Sequence, residues 1–453
     1  MEKFDPGASN LFDARAAREA IDSGLLSSEQ LVEACFARID LIEETIGAWA
    51  HIDRETALRQ ARAADAFRMR GLPVGALHGL PVGIKDIIDT VDYPTERGTI
   101  LHRGRQPDRD ATVVSLLKEA GAIILGKTVS TEMAVFAPGK TRNPHNPEHS
   151  PGGSSSGSAA AVAAAMAPLA VGTQTNGSVI RPASYCGVYG FKPSFARISR
   201  HGVLEQSPPL DTIGVFARDL DDLAMIADVL MRFDAQDPAM SPIAPPRIAS
   251  VLASEVPVDP HFAFMRTPAW EQVEQVTKDG LRELIDELNQ ARPGSIELID
   301  LPTDFEQLYE DHRQVMEGDL ARSFADEYAR GKSDLSDVLR EMIERGQQVD
   351  SSQYQAALAR RSLYMEFLDE VLYDFDAILT PSTTGPAPAG IDTTGSPIMN
   401  TIWTFLGMPA LNLPLLTTPG GLPFGVQAVG AVDDDARLFR HARWLLDVLN
   451  DEN

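Results

Sequence analysis

Apolar positions near the N-terminus recur with the period of an α-helix. Ser27 and Ser28 precede this pattern and can cap a helix. The apolar positions that follow are Leu31, Val32, Cys35, Phe36, Ile39, Leu41 and Ile42, close to a repeat of 3.6 residues. A similar helical pattern continues from Ala57 to Arg70. We therefore predict that residues 1–70 form helices on the outside of the fold.

Short apolar runs later in the chain predict buried strands that alternate with helices. The predicted strands are Pro81 to Ile84, Gly121 to Leu125, Leu169 to Thr175, Ala377 to Thr380 and Ala410 to Pro414. The helical patterns are Ala111 to Ala120, Gln307 to Ala321 and Asp435 to Leu449, and the acidic segment Glu271 to Arg345 is largely helical. Strands that are separated by helices and distant in sequence indicate an α/β fold. We predict one large, mixed, twisted sheet with helices on both faces.

The most distinctive stretch runs from Ser150 to Ser194. Its first pieces are a Gly/Ser loop (Gly152 to Ser158), an Ala-rich helix (Ala159 to Ala167) and an apolar strand (Leu169 to Thr175). Pro168 stops the helix, and the turn signal Asn176-Gly177 displays Ser178. Two serine sites could therefore meet at a helix N-terminus, where free N–H groups gather. A flexible linker would lack such packed neighbours.

Composition and charge exclude several classes of protein. The net charge of −25 argues against binding to a phosphate backbone, which needs a basic face. Cys35 and Cys186 are the only cysteines, which favours a reducing compartment, and Cys186 is expected to be a small core residue. The N-terminus lacks the apolar core of a signal peptide, and the run Ala159 to Val171 is too short to span a bilayer. We expect a cytoplasmic protein with no nucleic-acid or membrane partner.

Residues Gly121 to Thr128 match the phosphate-loop pattern G-x-x-x-x-G-K-[ST]. That motif needs its four middle residues in a loop that wraps phosphate. Here they are Ala-Ile-Ile-Leu, which form the predicted strand itself. A P-loop nucleotide hydrolase is therefore a weak alternative.

Residues Gly153 to Gly157 match G-x-S-x-G, the nucleophile elbow, which would make Ser155 the nucleophile. The elbow follows a strand, whereas a loop precedes this segment. The elbow also requires a later histidine. The candidates are His201, His261, His312 and His441, and the sequence around them does not indicate a catalytic role for any of them.

Lys85 stands at the end of the predicted strand Pro81 to Ile84. Burying a lysine as a cation is costly unless the side chain is paired or neutral. Taken alone, this segment favours a lysine that extends its charged end into water.

Several linked motifs resemble the amidase signature family. They are Lys85 in G-I-K-D, the loop G-G-S-S-S-G-S, and T-N-G-S-V-I-R-P followed by C-G-V-Y-G-F-K-P-S. Further similar segments are P-T-E-R-G-T at Pro94, G-K-T at Gly126, N-P-H-N-P-E at Asn143, F-D-A-I-L-T-P at Phe375, G-M-P-A-L-N-L-P at Gly407 and L-P-F-G-V-Q at Leu422. The resemblance covers most of the chain in the right order, and it is weakest between Ile243 and Asp350.

The resemblance implies a single domain over residues 1–453. Within it, residues 71–220 would form the catalytic core, 243–350 a variable helical region at the substrate entrance, and 370–453 the C-terminal part of the sheet. The N-terminal helices would occupy residues 1–70.

The family's Ser–Ser–Lys triad falls on Ser178, Ser154 and Lys85. The resemblance implies that Ser178 is the nucleophile and forms an acyl-enzyme. Ser154, after a cis Gly153–Ser154 peptide bond, would relay the proton to Lys85. Ser155 would hydrogen-bond the lysine.

The backbone amides of Thr175, Asn176, Gly177 and Ser178 resemble the family's oxyanion hole. This sequence has Asn176 where many relatives have Gly, and Val-Ile-Arg-Pro where they have Ile-Arg-Ile-Pro. The arginine is therefore shifted by one position relative to the family. Whether Arg181 has the role of the family's arginine is left open.

Neighbouring charged residues have structural interpretations. Arg181 and Asp211 are expected to form an ion pair that supports the Ser178 loop. Asp86 and Asp89 are expected to be solvated or to cap a helix rather than to act as acids.

The expected acyl pocket is apolar. Its candidate residues are Met133, Phe136, Ile402, Trp403 and Phe405, for each of which core packing is the alternative. An apolar pocket would favour bulky amides, anilides and urethanes.

The resemblance implies an amidase that hydrolyses C–N bonds of small-molecule amides, carbamates or esters, with no cofactor and no metal. The alternative within the family is the glutamine amidase subunit of a tRNA-dependent amidotransferase. A non-catalytic binding module is a further alternative, and assembly as a homodimer is left open.

Overall fold

A mixed sheet of 11 strands forms the centre of the computed structural model, which describes residues 5–450. The strands are β1 (Trp49–Ile52), β2 (Pro81–Lys85), β3 (Ile123–Thr128), β4 (Leu169–Gln174), β5 (Tyr189–Lys192), β6 (Thr212–Ala217), β7 (Phe262–Arg266), β8 (Ile296–Asp300), β9 (Ala377–Pro381), β10 (Ala410–Thr417) and β11 (Pro423–Val429). Their order across the sheet is β1-β3-β2-β4-β6-β5-β10-β11-β9-β7-β8.

The helices surround this sheet. They are α1 (Ala14–Ser23), α2 (Ser28–Ile46), α3 (Arg54–Arg68), α4 (Thr112–Glu119), α5 (Ser156–Ala163), α6 (Ile180–Cys186), α7 (Leu220–Leu230), α8 (Ile248–Leu252), α9 (Gln275–Ala291), α10 (Glu306–Ser323), α11 (Ala325–Gly331), α12 (Asp337–Gly346), α13 (Ser351–Asp374), α14 (Ile398–Phe405) and α15 (Asp435–Asn450). Ser27 caps α2 through a capping box with Gln30, since each side chain accepts a hydrogen bond from the other residue's backbone. Through residues 5–450, no helix has both the length and the apolar character of a membrane span.

The middle of the sheet is covered on both faces. Every residue of β2, β3, β4 and β6 is buried, so side chains of both orientations pack against other elements. Strand β2 is parallel to β3 and β4, whereas β6 is antiparallel to β4 and β5. The prediction of a mixed α/β sheet is confirmed.

Parallel pairing of β2 and β4 brings two chemically important strand ends together. Ile84 is opposite Val171 in the register, so Lys85 at the end of β2 lies near Thr173 on β4. Helix α5 starts beside these ends, where Ser158 Oγ donates to the Val171 carbonyl at 3.0 Å. The sheet therefore places the Gly/Ser loop next to Lys85.

Several predicted elements differ from the structure: strand β1 lies within the N-terminal region predicted to be helical, and β3 spans Ile123–Thr128 instead of Gly121 to Leu125. The Ala-rich helix begins three residues before the predicted Ala159 and ends at Ala163, because the loop serines already take helical positions and Ala165 turns with φ 55°. The segment between Ile243 and Asp350 also contributes strands β7 and β8, which its acidic, helical pattern does not indicate.

The phosphate-loop match is a strand, as the sequence context indicates. Residues Ile123–Thr128 form β3 and are buried throughout. Lys127 Nζ donates to the Ile88 carbonyl at 2.8 Å and to Thr95 Oγ1 at 2.5 Å, and it lies 3.4 Å from Asp86. These contacts make Lys127 part of the core, and its segment forms no phosphate-binding loop.

Candidate active site

Lys85 lies beside two hydroxyl groups. Its Nζ donates to Ser154 Oγ at 2.7 Å and to Thr173 Oγ1 at 2.8 Å. Complete burial lowers the pKa of Lys85 well below its ordinary value, although the charge of Asp211 acts in the opposite direction. A lysine in such a site loses its proton at lower pH than an exposed lysine and can then act as a base.

Thr173, and not Ser155, is the second hydroxyl at Lys85. Ser155 Oγ donates to the Thr173 carbonyl at 3.1 Å and accepts from the Thr173 amide at 3.2 Å. Ser155 therefore ties the Gly/Ser loop to β4, and the predicted hydrogen bond from Ser155 to Lys85 is corrected. Ser155 is also completely buried, which disfavours it as an attacking nucleophile.

Arg181 holds the peptide that precedes Ser154. The Gly153–Ser154 peptide bond is cis, and the Gly153 carbonyl accepts hydrogen bonds from Arg181 Nε at 3.2 Å and Nη2 at 2.6 Å. Arg181 Nη1 donates to the Gly395 carbonyl at 2.8 Å. The arginine thus braces the Gly/Ser loop from α6.

The predicted ion pair between Arg181 and Asp211 does not form among residues 5–450, and this prediction is corrected. Asp211 instead accepts hydrogen bonds from Thr175 Oγ1 at 2.6 Å and from the amides of Gln206 and Ser207 at 2.8 and 3.0 Å. Burial raises the pKa of Asp211 to about 6. Asp211 therefore supports the turn before Ser178 through Thr175.

The prediction for Asp86 is also wrong. Asp86 is buried, accepts a hydrogen bond from the Glu96 amide at 3.2 Å and faces Lys127. Asp89 binds both terminal nitrogens of Arg105, at 2.6 and 2.7 Å. Both carboxylates have structural partners.

The turn between β4 and α6 presents several free backbone amides. Within residues 5–450, the amides of Asn176, Gly177 and Ser178 have no hydrogen-bond acceptor. The next two amides, of Val179 and Ile180, both donate to Gln174 Oε1, at 2.7 and 3.0 Å. The Gln174 side chain thus occupies the amides of α6 and leaves those of the turn available to a ligand.

Ser178 borders a cavity that is mostly apolar. A narrow space of about 10 Å³ is lined by Ser178, Asn176, Phe136, Met316 and Met342, among others. The last four of these residues also line an adjoining cavity of about 340 Å³. In the described part of the chain, the Ser178 hydroxyl has no hydrogen-bond partner, and residue Ser178 is 8% exposed and borders this space.

Four of the five predicted pocket residues lie elsewhere. Phe136 lines the cavity, whereas the core holds Met133, Ile402, Trp403 and Phe405. Helix α14 instead contributes Ile398 and Thr401 to the cavity wall. The pocket prediction is revised accordingly.

The variable region supplies much of the cavity wall. Helices α10 and α12 contribute Tyr309, His312, Met316, Val338 and Met342. Two arginines of the wall, Arg313 and Arg345, both bind the buried Glu317, with shortest distances of 2.6 Å. That this region forms the substrate entrance stays a prediction.

A second cavity lies behind the turn. It has a volume of about 490 Å³ and is lined by Thr173, Thr175, Gln206 and Asp211, together with residues of the 200–205 loop. Ser178 is not among its lining residues. Gln206 and Thr175 border both this cavity and the narrow space at Ser178, so they form part of the wall between them.

Sequence reasoning missed three residues of the site. Thr173 and Gln174 lie inside the T-Q-T segment of β4, where the sequence signal points only to the turn that follows. His312 Nε2 lies 3.0 Å from the Thr175 carbonyl although 137 residues separate them. Alternation along β4 could have indicated Thr173, but no local pattern indicates His312.

The Amidase family model matches residues 30–439. The chain belongs to this family, the amidase signature enzymes. The resemblance found in the short motifs is thereby confirmed over most of the chain, including the region between Ile243 and Asp350.

Relatives within the family have more than one activity. The Mycobacterium tuberculosis protein AmiD, provisionally named an amidase, is 33% identical, with 97% of this chain and 94% of AmiD covered. A glutamyl-tRNA(Gln) amidotransferase chain from Chloroflexus aggregans is 32% identical, with 94% of each chain covered. The solved peptide amidase of Stenotrophomonas maltophilia has a TM-score of 0.83 and 27% identity, with 98% of each chain covered. This amidase signature protein is accordingly a hydrolase of C–N bonds.

Proposed function

We propose that this amidase hydrolyses small-molecule amides through an acyl-enzyme on Ser178, with Ser154 as proton relay and Lys85 as final base. The observation that carries the proposal is the 2.7 Å contact between Lys85 Nζ and Ser154 Oγ in a fully buried site. Burial favours the neutral amine, which is the form that can accept a proton from a hydroxyl group.

The reaction begins when Ser178 Oγ attacks the amide carbon. Its proton passes to Ser154 as the proton of Ser154 passes to Lys85. The resulting tetrahedral intermediate collapses when the same proton returns through Ser154 to the leaving nitrogen. The C–N bond then breaks, the amine departs, and the acyl group remains on Ser178.

The second half-reaction repeats the proton path with water as the nucleophile. Water adds to the acyl carbon and gives one proton to Ser154 as the proton of Ser154 passes to Lys85. The bond from Ser178 to the acyl carbon breaks, Ser178 regains a proton, and the carboxylic acid leaves. In both steps the amides of the turn from Thr175 to Ser178 would stabilise negative charge on the carbonyl oxygen.

The cavity suits an apolar acyl or aryl group. Both the narrow space at Ser178 and the larger cavity are lined by Phe136, Met316 and Met342. We infer that bulky amides and anilides are better substrates than acetamide, and that carbamates and esters with similar groups are also accepted.

The amidotransferase alternative has support from its relatives in the family. Glutamine, however, carries a charged amino group and a charged carboxylate, which would lose hydration beside Phe136, Met316 and Met342, and the two wall arginines are already paired with Glu317. The contacts at Phe136, Met316 and Met342 therefore favour an amidase whose substrate has an uncharged acyl group.

Active-site labelling tests the nucleophile. A fluorophosphonate should modify Ser178 in a 1:1 ratio and stop hydrolysis of aryl amides, carbamates and esters, as the Ser178→Ala substitution also should. Glutamine and acetamide are included in the substrate panel. A label that peptide mapping places on Ser155, or full amidase activity in Ser178→Ala, would overturn the proposal. Glutamine as the best substrate would favour the amidotransferase alternative.

A further inference from the structure

Three consecutive carbonyl groups in the turn before Ser178 are each held by a different element. The Thr175 carbonyl lies 3.0 Å from His312 Nε2 of α10. The Asn176 carbonyl accepts a hydrogen bond from Thr404 Oγ1 of α14 at 2.5 Å. The Gly177 carbonyl accepts one from the Arg181 amide of α6 at 3.0 Å.

Fixing a carbonyl group also fixes the amide of the following residue. The peptide unit is planar and trans, so its C=O and N–H bonds point in opposite directions. His312 therefore sets the direction of the Asn176 amide, Thr404 that of the Gly177 amide, and Arg181 that of the Ser178 amide. In residues 5–450 these three amides have no acceptor.

We propose that His312 and Thr404 are positioning residues that aim the Asn176 and Gly177 amides at the carbonyl oxygen of the substrate. This inference rests on the proposed function, because it assigns the source of the oxyanion geometry. Without these contacts, the two peptide units could rotate and turn their carbonyl oxygens toward the developing negative charge.

The side chain of His312 fits a donor role. A carbonyl oxygen can only accept, so Nε2 must carry the proton. The ring is buried, and burial lowers the pKa of His312 to about 4, which makes the imidazole neutral at physiological pH. Its ring packs edge-on against Phe405, with centroids 6.2 Å apart.

A second contact of α10 holds the same turn. Asp319 accepts a hydrogen bond from Ser207 Oγ at 2.6 Å, and the Ser207 amide donates to Asp211 at 3.0 Å. Asp211 in turn accepts from Thr175 Oγ1 at 2.6 Å. Thr175 is thus held by α10 at its carbonyl through His312 and at its side chain through this chain of contacts.

Helix α10 also forms the wall of the substrate cavity. Tyr309, His312 and Met316 lie on the cavity side of this helix. The helix that contacts the acyl group would therefore also set the direction of the Asn176 amide. Changes in α10 that reshape the cavity should consequently alter turnover as well as binding.

The test uses matched variants of the full chain. His312→Leu removes the donor, whereas His312→Gln can return an N–H near the position of Nε2. Thr404→Val and Thr404→Ser form the corresponding pair at the Asn176 carbonyl. His441→Leu is the control, because His441 is also buried with a ring nitrogen near a backbone carbonyl, 3.3 Å from that of Asp376 and away from the site.

Two inhibitors separate positioning from general loss of structure. A trifluoromethyl ketone analogue of a good substrate adds to Ser178 and places an oxyanion at the amides. The corresponding alcohol binds the cavity without forming that adduct. Folding of each variant is checked by circular dichroism and thermal unfolding.

His312→Leu and Thr404→Val should each lower kcat about 10- to 100-fold, less than the roughly 10²- to 10³-fold effect of deleting an oxyanion donor. The inhibition constant of the ketone should rise in parallel, and by a larger factor than KM or the dissociation constant of the alcohol. His312→Gln and Thr404→Ser should recover most of kcat. His441→Leu should keep the wild-type ratio of ketone to alcohol affinity.

Wild-type ketone affinity in folded His312→Leu and Thr404→Val would overturn the inference, as would equal losses in His312→Leu and His441→Leu. If His312→Leu does not fold, the Thr404 pair decides the result. Failure of the proposed function looks different, since the ketone would then form no adduct with Ser178 even in the wild-type protein.

Discussion

Lys85 and Thr173 are joined by a 2.8 Å hydrogen bond between adjacent parallel strands. When the lysine is neutral, one N–H can donate to Thr173 Oγ1 while the nitrogen lone pair faces the Ser154 hydroxyl. We therefore expect Thr173 to help orient Lys85 as the proposed base.

Replacing Thr173 with valine should lower amide turnover about fivefold, since one hydrogen bond of about 1 kcal/mol no longer orients the amine. Thr173→Ser keeps the hydroxyl and should retain most of the activity. Steady-state kinetics on an aryl amide measures both variants. Equal activities for the two, with both folded, would mean that the Thr173 hydroxyl does not orient Lys85.

The pH dependence of kcat/KM should show the depressed pKa of Lys85. The neutral amine is the proposed base, so activity should rise with pH as the lysine loses its proton. Because burial lowers its pKa, the midpoint of this rise should lie well below the ordinary lysine value of 10.5. A pH series on an uncharged amide gives the midpoint, and a midpoint near 10.5 would contradict the predicted environment.

Two aromatic residues should respond differently to truncation. Trp403 is fully buried in the core, so Trp403→Ala should lose about 3–5 kcal/mol of unfolding free energy and keep its substrate preference if folded. Phe136 lines the cavity, and Phe136→Ala should shift the preference away from bulky acyl groups. Denaturant unfolding and the amide panel provide the two measurements. A changed preference only in Trp403→Ala would restore the pocket predicted from the sequence.

Local sequence signals located the strands that carry the site. The apolar run before Lys85 and the strand before Asn176-Gly177 are both present, and the motifs around Ser154 and Ser178 lie at the same sheet edge. These features depend on neighbours in sequence, which motif and periodicity analysis can detect.

Contacts between distant segments could not be predicted in the same way. Arg181 and Asp211 carry opposite charges, but α6 directs the arginine to the Gly153 carbonyl and the turn at Ser207 surrounds the aspartate. On α14, only the three-dimensional packing decides that Ile398 lies at the cavity and Trp403 in the core. In the sequence, an apolar residue at the cavity cannot be distinguished from an apolar residue in the core.

Lys85 should matter more for amides than for esters of the same acyl group. An amide expels a poor leaving group, whose nitrogen must be protonated as the tetrahedral intermediate collapses, whereas an ester needs little help from an acid. In the proposed mechanism, Lys85 gives its proton back to Ser154 as Ser154 protonates the leaving nitrogen. Removing Lys85 damages two functions for an amide, namely activation of Ser178 and protonation of the leaving group, but mainly the first function for an ester.

Lys85→Met and Lys85→Ala should therefore lower amide kcat/KM by at least about tenfold more than ester kcat/KM, given the roughly 10²- to 10⁴-fold contribution of general acid–base catalysis. Matched p-nitroanilide and p-nitrophenyl ester substrates provide the comparison. Lys127→Met is the control, because Lys127 is another buried lysine of the neighbouring strand β3, and its loss should affect both substrates equally. Equal losses on amide and ester in folded Lys85 variants would show that Lys85 only supports the structure of the site. A selective loss on the amide, absent from Lys127→Met, would establish that the lysine returns the proton to the leaving nitrogen.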